Sequence, residues 1–336
     1  MSNNEKLLTL LRTRPGIYVQ THDFPDHDSI ASAFGLQVLL ASQGIQSRIT
    51  YEGDIQRESL QQMIDELGIE IRHNEEYAIG HDDGIIIVDG CKGNRNVSNL
   101  MAPELAILDH HVVDDPEDIP YVDVRPDYGA CATIVYTYYR DLGVDIPEDV
   151  ATALLIGVSM DTALLTRAAS PMDLEAYSHL YHRARTRLVN EVICSYMQMR
   201  DLEYYRRALD NVVIRNRFAF CYLPQGCSKN LMGILADFFM SLRDVDFVGL
   251  CARNHHAINF SVRCDPEKWN ASLVIQKVLS GIGFGGGHIH MAGGTIKDPA
   301  LFDVEAIYRR FCEAQRISPG SSPTTLKKPI DSYQIG

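Results

Sequence analysis

The sequence predicts a two-domain α/β protein. A mostly parallel sheet with helices on both faces is joined by a helical linker to a smaller, mixed-sheet α/β domain. The chain has 336 residues, more than most single domains, and an apolar content of 46% that suffices for ordinary cores. In the first half, short apolar runs alternate with helical patterns, which is typical of parallel sheets covered by helices.

The strands predicted in the first half are short apolar runs that end in polar residues. They occupy 16–23, 47–53, 84–90 and 104–111, and helical periodicity predicts helices at 29–44, 57–68, 129–143 and 147–165. Another helix begins at Ser170, which can cap it, followed by Pro171 at the first helical position. Acidic residues and histidines follow three of the strands, at the edge where α/β sheets bind ligands.

The second half begins with a polar stretch. Residues 183–217 hold eight arginines against four acids and predict a helical connector, which is either a basic hinge beside a phosphate site or a solvated helix face. From about Val212, strand-like runs, a helix at "NASLVIQKVLSG" and a glycine-rich loop at 281–294 predict the mixed-sheet domain. We expect the first domain at 1–186, the linker at 187–210, the second domain at 211–316 and a flexible tail at 317–336.

Composition narrows the class of partner. The net charge of −13 disfavours binding of long nucleic acid, which usually needs a basic face, and fits a short phosphorylated substrate; the alternative is that the acidity only aids solubility. No stretch approaches the roughly 20 apolar residues of a membrane helix. The N-terminus lacks the layout of a secretory signal, and the eight cysteines never form C-x-x-C. We therefore expect a cytoplasmic protein that does not bind membranes.

An ordered set of acidic residues and histidines is the most informative feature of the chain. These are the oxygen and nitrogen ligands that hard or borderline divalent metals prefer. Any one of these motifs alone is weak evidence for a metal site, because a short acidic turn is usually a capped loop and a single strand-end aspartate is often structural. The whole ordered set is specific. It comprises His22, Asp26, Asp28, Asp89, Asp109, His110, His111 and Asp161.

The spacing suits two metal ions that share a carboxylate. Hydrolysis of a phosphodiester needs an activated nucleophile and stabilised phosphoryl charge, and two divalent ions about 3.5–4 Å apart supply both. A turn after the first strand can direct His22 and Asp26 to one ion and Asp28 to another. Asp89, at a neighbouring strand end, is the natural bridge, and Asp161 completes the second site. Alternate residues of an extended segment point to opposite sides, so one histidine of the triplet can ligate while the other faces substrate.

These motifs resemble the DHH family of metal-dependent phosphoesterases. "HDFPDHDSIAS", the strand-end Asp89, the Asp109-His110-His111 triplet and the later Asp161 match its four motifs in order. The family often has glycine where this chain has His27, whose role the sequence does not tell. "GFGGGHIHMAGG" resembles the signature of the associated DHHA1 domain, with an inexact end. Length and domain pairing are similar to the stand-alone subgroup of nanoRNases, exonucleases that trim short oligonucleotides and dephosphorylate 3′-phosphoadenosine 5′-phosphate.

The resemblance implies a role for each matching residue. His22 and Asp26 would bind one manganese ion. The other ion would be bound by Asp28, His110 and Asp161, with Asp89 bridging. Asp109 would orient the catalytic site, and His111 would contact the scissile phosphate or protonate the leaving oxygen. Substrate would be bound by Gly285, Gly286, Gly287, His288 and Arg263.

The leading hypothesis is a manganese-dependent phosphodiesterase that hydrolyses short 5′-phosphorylated oligonucleotides or linear dinucleotides to mononucleotides. Hydrolysis of cyclic dinucleotides or of 3′-phosphoadenosine 5′-phosphate is the alternative. A pyrophosphatase is disfavoured because that branch of the family has a different C-terminal domain, and action on long DNA is disfavoured by the acidity. A non-catalytic metal or nucleotide sensor and a purely structural protein are the other classes. A homodimer is a family-level expectation.

Overall fold

The computed structural model describes residues 3–55, 57–93, 96–112, 118–194, 197–254 and 256–316. The predicted flexible tail at 317–336 lies outside these ranges. The chain forms two compact units, Met1–Tyr196 and Met197–Gly336. The domain limits expected from the sequence stay a prediction.

Unit 1 contains a six-stranded sheet and seven helices among its described residues. The strands are β1 (Ile17–Gln20), β2 (Ser47–Tyr51), β3 (Ile71–His73), β4 (Gly84–Val88), β5 (Glu104–Asp109) and β6 (Tyr121–Val124). The helices are α1 (Asn3–Leu11), α2 (His27–Ser42), α3 (Glu58–Leu67), α4 (Cys131–Leu142), α5 (Glu148–Asp161), α6 (Pro171–Tyr181) and α7 (Thr186–Cys194).

The order of the strands in unit 1 places the site. All neighbouring strands are parallel, and their order is β3-β2-β1-β4-β5-β6. The chain moves outward from β1 to β2 and β3, then returns to pair β4 with the other side of β1. This reversal is a topological switch point, and open α/β sheets bind ligands at the carboxyl ends of the strands there. The residues after β1, β4 and β5 are those that the sequence singled out.

The two faces of this sheet are buried by two apolar clusters. The larger one packs α2, α4 and α5 on the sheet and includes Leu36, Val135 and Leu154, all fully buried. The smaller one lies on the other face and includes Tyr18 and Ile87. A strand buried on both faces reads as a continuous apolar run, which is why "GIIIV" carried no alternation.

Unit 2 is a mixed sheet with four helices in the part of the chain that is described. Its strands are β7 (Val213–Arg215), β8 (Phe218–Leu223), β9 (Phe247–Asn254), β10 (Ala257–Cys264), β11 (Phe284–Gly287) and β12 (Met291–Ile296). Its helices are α8 (Leu202–Asn211), α9 (Lys229–Met240), α10 (Ala271–Leu279) and α11 (Val304–Ala314). The order is β11-β12-β10-β9-β8-β7, and only the β8–β9 pair is parallel. The two-domain α/β prediction is confirmed.

Three local predictions differ from the structure. The helix expected at 147–165 ends at Asp161, because Ala163, Leu164 and Leu165 have left-handed φ values of 47°, 58° and 61°. The connector at 183–217 contains two helices, α7 in unit 1 and α8 in unit 2, and its last part forms strand β7. Its arginines pair with nearby acids, as Arg185 does with Asp149 at 2.9 Å, which supports a solvated helix face.

The glycine-rich segment at 281–294 is a β-hairpin, not the expected loop. Strands β11 and β12 pair through it, and α10 packs on one side. A Cβ on Gly294 would lie 2.4 Å from Leu279, and one on Gly285 would lie 2.9 Å from Ile275. The glycines therefore permit close helix–strand packing, a requirement that composition does not distinguish from loop flexibility.

No described helix has the length and apolar character needed to cross a membrane.

Candidate metal centre

The carboxyl edge of the unit 1 sheet gathers the acidic residues and histidines predicted from the sequence. Three groups each offer ligand atoms within 4.8 Å of one another. The groups are His22, Asp26 and Asp89; Asp28, His110 and Asp161; and Asp89, His110 and His111. They overlap, and so form one continuous cluster.

Asp89 lies between the two ends of this cluster. Its Oδ2 is 3.6 Å from Nε2 of His22, and its Oδ1 is 3.4 Å from Nε2 of His110. The side chain is only 3% exposed, and Oδ1 has no hydrogen-bond partner among the described residues. Asp89 follows β4 directly with a left-handed φ of 56°, which is uncommon for a non-glycine residue. A buried carboxylate oxygen without a donor is the feature that a bound cation would satisfy.

Helix α2 fixes the two aspartates of the first motif in different ways. Asp26 is the N-cap and accepts a hydrogen bond from the Ser29 amide at 3.1 Å. Asp28 is buried in the first turn and accepts from the amides of Cys131 and Ala132 at 2.6 and 2.9 Å. Burial raises the pKa of Asp28 well above its ordinary value, and the nearby carboxylates add to this. A divalent cation would reverse the effect by favouring the ionised form.

His110 is oriented by a backbone carbonyl. Its Nδ1 lies 3.2 Å from the carbonyl oxygen of Tyr128, which accepts a hydrogen bond and so requires a hydrogen on Nδ1. Nε2 then points into the cluster, 3.1 Å from Oδ2 of Asp161. Burial disfavours a charged ring, yet the nearby carboxylates of Asp161 and Asp89 outweigh it and raise the pKa of His110 to about 12. The cluster thus attracts positive charge at Nε2, where a metal would take the place of the proton.

Asp109 and His111 form a second oriented pair. The fully buried Asp109 accepts from both Nδ1 and the amide of His111, at 2.8 and 3.1 Å, through the same oxygen. Burial opposes the ionised form of Asp109, but the hydrogen bond and charge of His111 lower its pKa. In turn, the hydrogen bond to Asp109 raises the pKa of His111. At 36% exposure, His111 is the most accessible histidine of the cluster.

His27 has a structural role that the sequence left open. Its ring is 1% exposed, and Nε2 lies 3.0 Å from the Ser59 hydroxyl on α3. Burial, with help from the charge of Arg57, lowers the pKa of His27 to about 4. The ring is therefore neutral near pH 7 and joins α2 to α3.

Backbone groups of the segment before α4 are the part of the site that sequence reasoning missed. The carbonyl of Tyr128 holds His110, and the first amides of α4 hold Asp28. The sequence contained one indication of the contacts made by the α4 amides. The N-cap of α4 is Ala130, whose side chain cannot cap the helix, so the initial amides needed another acceptor.

The predicted substrate-binding residues lie in unit 2. Arg263, on β10, donates from Nε to Asp237 at 2.6 Å. Among the glycines, Gly285 faces α10 and Gly286 faces the other side of the hairpin. His288 follows β11, donates its amide to the carbonyl of Met291 at 2.7 Å and stacks on His290.

The hairpin and β10 form a polar strip on the face that is turned away from α10. We call it the polar shelf, and it comprises Asn259, Ser261, Arg263, Phe284, Gly286, Met291, Gly293 and Thr295, which the strand registers place on that face. A Cβ on Gly286 would meet no described heavy atom within 4 Å, and Phe284 is 58% exposed. The hairpin part of the shelf is therefore open and carries an accessible aromatic ring, whereas Asn259 and Ser261 are buried and the guanidinium of Arg263 is paired with Asp237.

Comparison with known families divides the chain in two. Residues 16–158 match the N-terminal domain of the DHH family, and residues 215–313 match the DHHA1 domain. The first match contains the motifs through β4 and β5 but ends before Asp161. The second contains the polar shelf.

Two curated relatives and one solved structure extend this result. The chain is 28% identical to an uncharacterised protein of Methanocaldococcus jannaschii, covering 89% of this chain and 62% of that protein. It is 28% identical to a probable manganese-dependent inorganic pyrophosphatase of Streptococcus thermophilus, covering 49% of this chain and 55% of that one. The chain thus spans less than two thirds of each relative. An exopolyphosphatase-related protein from Bacteroides fragilis shares the fold, with a TM-score of 0.77, 18% identity and coverage of 94% and 95%.

Proposed function

We propose that this chain, whose two halves match the DHH N-terminal domain and the DHHA1 domain, is a metal-dependent phosphoesterase that hydrolyses short 5′-phosphorylated oligonucleotides to mononucleotides. Linear dinucleotides are the simplest substrates of this kind. The observation that carries the proposal is the position of Asp89 between two groups of metal-ligating side chains.

The donor set fits two divalent ions, and the manganese-dependent relative favours manganese. We assign His22 and Asp26 to one ion, with Asp89 shared. Asp28, His110 and Asp161 would hold the other. Oxygen donors with a minority of imidazoles suit Mn²⁺. When bound, two such ions acidify water and stabilise charge on phosphoryl oxygens.

The remaining chemistry belongs to Asp109 and His111. When water attacks a phosphodiester, the P–O bond that breaks releases an alkoxide, and this leaving oxygen needs a proton. His111 is accessible, its ring is held through Nδ1 by Asp109, and its raised pKa keeps it protonated toward higher pH. We assign it the transfer of a proton to the leaving oxygen, or contact with the scissile phosphate, with Asp109 fixing its orientation.

Features of unit 2 favour a nucleotide as the substrate. The polar shelf offers Arg263 for a phosphate and Phe284 for stacking of a base. The pyrophosphatase relative matches only about half of this chain, whereas the second half matches DHHA1. The net charge of −13 favours a short substrate over a long polyanion. Hydrolysis of 3′-phosphoadenosine 5′-phosphate or of a cyclic dinucleotide is the second candidate, since the same shelf suits both.

The test is incubation of the full chain with Mn²⁺ and a 5′-phosphorylated diribonucleotide, with products resolved by chromatography. We expect mononucleotides with metal and none with EDTA. Asp89→Asn should reduce turnover by at least about 100-fold, the upper range for residues that only support metal sites. Asp83→Asn, a change at the start of β4, is the matched control.

Parallel incubations separate the substrate classes. The panel contains pyrophosphate, 3′-phosphoadenosine 5′-phosphate, a cyclic dinucleotide and a 5′-phosphorylated 20-mer. Faster turnover of pyrophosphate than of the dinucleotide would contradict the proposed substrate. Full activity in Asp89→Asn would contradict the assigned site.

A further inference from the structure

One peptide bond connects the metal centre to a buried carboxylate outside it. The carbonyl of Tyr128 accepts from Nδ1 of His110 at 3.2 Å, and the amide of the same peptide, on Gly129, donates to Oδ2 of Asp173 at 2.8 Å. A trans peptide is planar, with its C=O and N–H pointing in opposite directions. Asp173 and His110 therefore hold opposite sides of one rigid unit, and a rotation that releases one contact also releases the other.

Asp173 makes more contacts than a helix cap needs. It lies in the first turn of α6 and is fully buried. The capping box accounts for its contacts with Ser170, whose amide and hydroxyl donate to Oδ2 at 2.7 and 2.6 Å. Its other contacts are with the amide of Gly129, in the segment before α4, and with the hydroxyl of Thr133, in the first turn of α4. A buried carboxylate holds such donors firmly, because an unsatisfied charge there is costly.

The contact with Thr133 connects Asp173 to the part of the metal centre that contains Asp28. Thr133 lies in the first turn of α4, directly after the residues whose amides hold Asp28. Asp173 thus anchors this segment at two points. The segment between them supplies the carbonyl for His110 and the amides for Asp28.

Glycine at 129 permits this arrangement. A Cβ there would lie 2.6 Å from Thr162, 2.8 Å from the carbonyl of Ala168 and 3.1 Å from Asp173 itself. The carboxylate can approach the amide closely only because residue 129 has no side chain.

We propose that Asp173 is a positioning residue of the metal centre, acting on His110 through the Tyr128–Gly129 peptide and on Asp28 through the start of α4. The inference rests on the proposed assignment of His110 and Asp28 as ligands. Supporting partners of this kind change metal affinity by about 10–100-fold in other sites.

The test measures the affinity of the metal-free full chain for Mn²⁺, with free ion followed by electron paramagnetic resonance. We expect Asp173→Ala to weaken binding by about 10-fold or more. Asp173→Asn should restore affinity to within about 3-fold, because its amide oxygen can accept from Gly129 while its nitrogen donates to Thr133. Ser170→Ala removes the α6 cap but leaves the Gly129 contact, so it is the matched control and should retain wild-type affinity.

A second readout follows the ring itself. Nitrogen-15 spectra of the histidines in metal-free protein report the hydrogen bond at Nδ1 of His110, and we expect Asp173→Ala to shift that signal where Ser170→Ala does not. If Asp173→Ala fails to fold, Asp173→Ser takes its place, because the hydroxyl is one bond shorter and does not span to Gly129.

Each result decides a different point. Wild-type affinity in folded Asp173→Ala, alongside weak binding in His110→Ala, overturns this inference and leaves the proposed function intact. Equal losses in Asp173→Ala and Ser170→Ala also overturn it, since helix capping then accounts for both. Unchanged affinity in His110→Ala overturns the ligand assignment and the inference together.

Discussion

Neighbouring groups already hold most of the candidate ligands in place. Asp26 is held by the Ser29 amide, Asp28 by the start of α4 and His110 by a carbonyl. Asp89 differs, because its Oδ1 has no hydrogen-bond partner among the residues described. Fixed side chains lose little freedom when an ion binds, so the arrangement favours tight binding. Asp89, which we propose as the carboxylate shared by the two ions, is then the side chain whose position depends most on bound metal.

Removal of the Asp109 charge separates catalysis from metal binding. In Asp109→Asn we expect kcat to fall by about 100-fold or more, because a neutral amide no longer stabilises the protonated ring of His111. The pKa of His111 should also fall, since that hydrogen bond raises it. Protonated His111 is lost as pH rises through its pKa, so the alkaline limb of the kcat profile should move to lower pH. Steady-state kinetics across pH measure both effects.

Mn²⁺ affinity in the same variant provides the control. Asp109 is not an assigned ligand, so binding should stay within about 3-fold of wild type. A large loss of affinity together with an unchanged pH profile would show that Asp109 acts on the metal instead.

His27 predicts a pH dependence of stability. Its pKa is about 4 in the folded protein against 6.5 for the unperturbed ring, so the unfolded chain binds the proton more tightly. Stability is therefore full above pH 6.5 and falls as pH drops toward 4, by about 2 kcal/mol between pH 7.5 and 5. His27→Gln should lack this loss. Urea unfolding in EDTA measures the free energy of unfolding at each pH, with the exposed His81→Gln as control. The same decrease between pH 7.5 and 5 in His27→Gln and in wild type would contradict this role of His27.

The sequence predicted four strands of unit 1, because apolar runs and polar strand ends are local signals, but it did not predict β3, β6 or α1. It also predicted which carboxylates and histidines meet, since parallel strands bring their carboxyl ends to one edge. The contribution of Tyr128 was not predictable, because any residue supplies a carbonyl. The hairpin of β11 and β12 was missed because glycine marks both loops and close packing. The end of α5 at Asp161 depended on backbone angles that alanine and leucine do not signal.

Within the hairpin, neighbouring glycines serve different purposes. Gly285→Ala would place a methyl 2.9 Å from Ile275 and 3.0 Å from the carbonyl of Gly293, and we expect a loss of about 1–3 kcal/mol in unfolding free energy. Gly286→Val projects into open space over the polar shelf, so stability should change by less than about 0.5 kcal/mol. Denaturant titrations of both variants measure the difference.

Kinetics complete the comparison of the two glycines. Gly286→Val should raise KM for the dinucleotide with little change in kcat, because it covers the shelf in unit 2 while the assigned metal ligands all belong to unit 1. An unchanged KM would indicate that the substrate does not use this face.

The whole molecule has two units with separate hydrophobic cores, and the candidate ligands all lie in unit 1. Bound ions should stabilise that unit alone. A ligand at 100 times its Kd contributes about 2.7 kcal/mol, which corresponds to roughly 5–10 °C for a unit of this size.

The single tryptophan makes this measurable, because Trp269 lies in unit 2. EDTA should lower the temperature of the calorimetric transition of unit 1 by roughly 5–10 °C. The transition followed by Trp269 fluorescence should not move. Equal shifts in both signals would contradict the assignment of the ions to unit 1.

The position of β1 has a consequence for synthesis on the ribosome. Among the strands of this sheet it is made first, yet it pairs on both sides with strands made later, β2 and then β4. A nascent chain cannot close the centre of the sheet until β4 has emerged, and the cluster stays incomplete until Asp161 follows. At ordinary translation rates this delay is on the order of 10 s. Until β4 has emerged, one side of this apolar strand has no partner, so we expect chaperones that bind the nascent chain to raise the yield of folded protein.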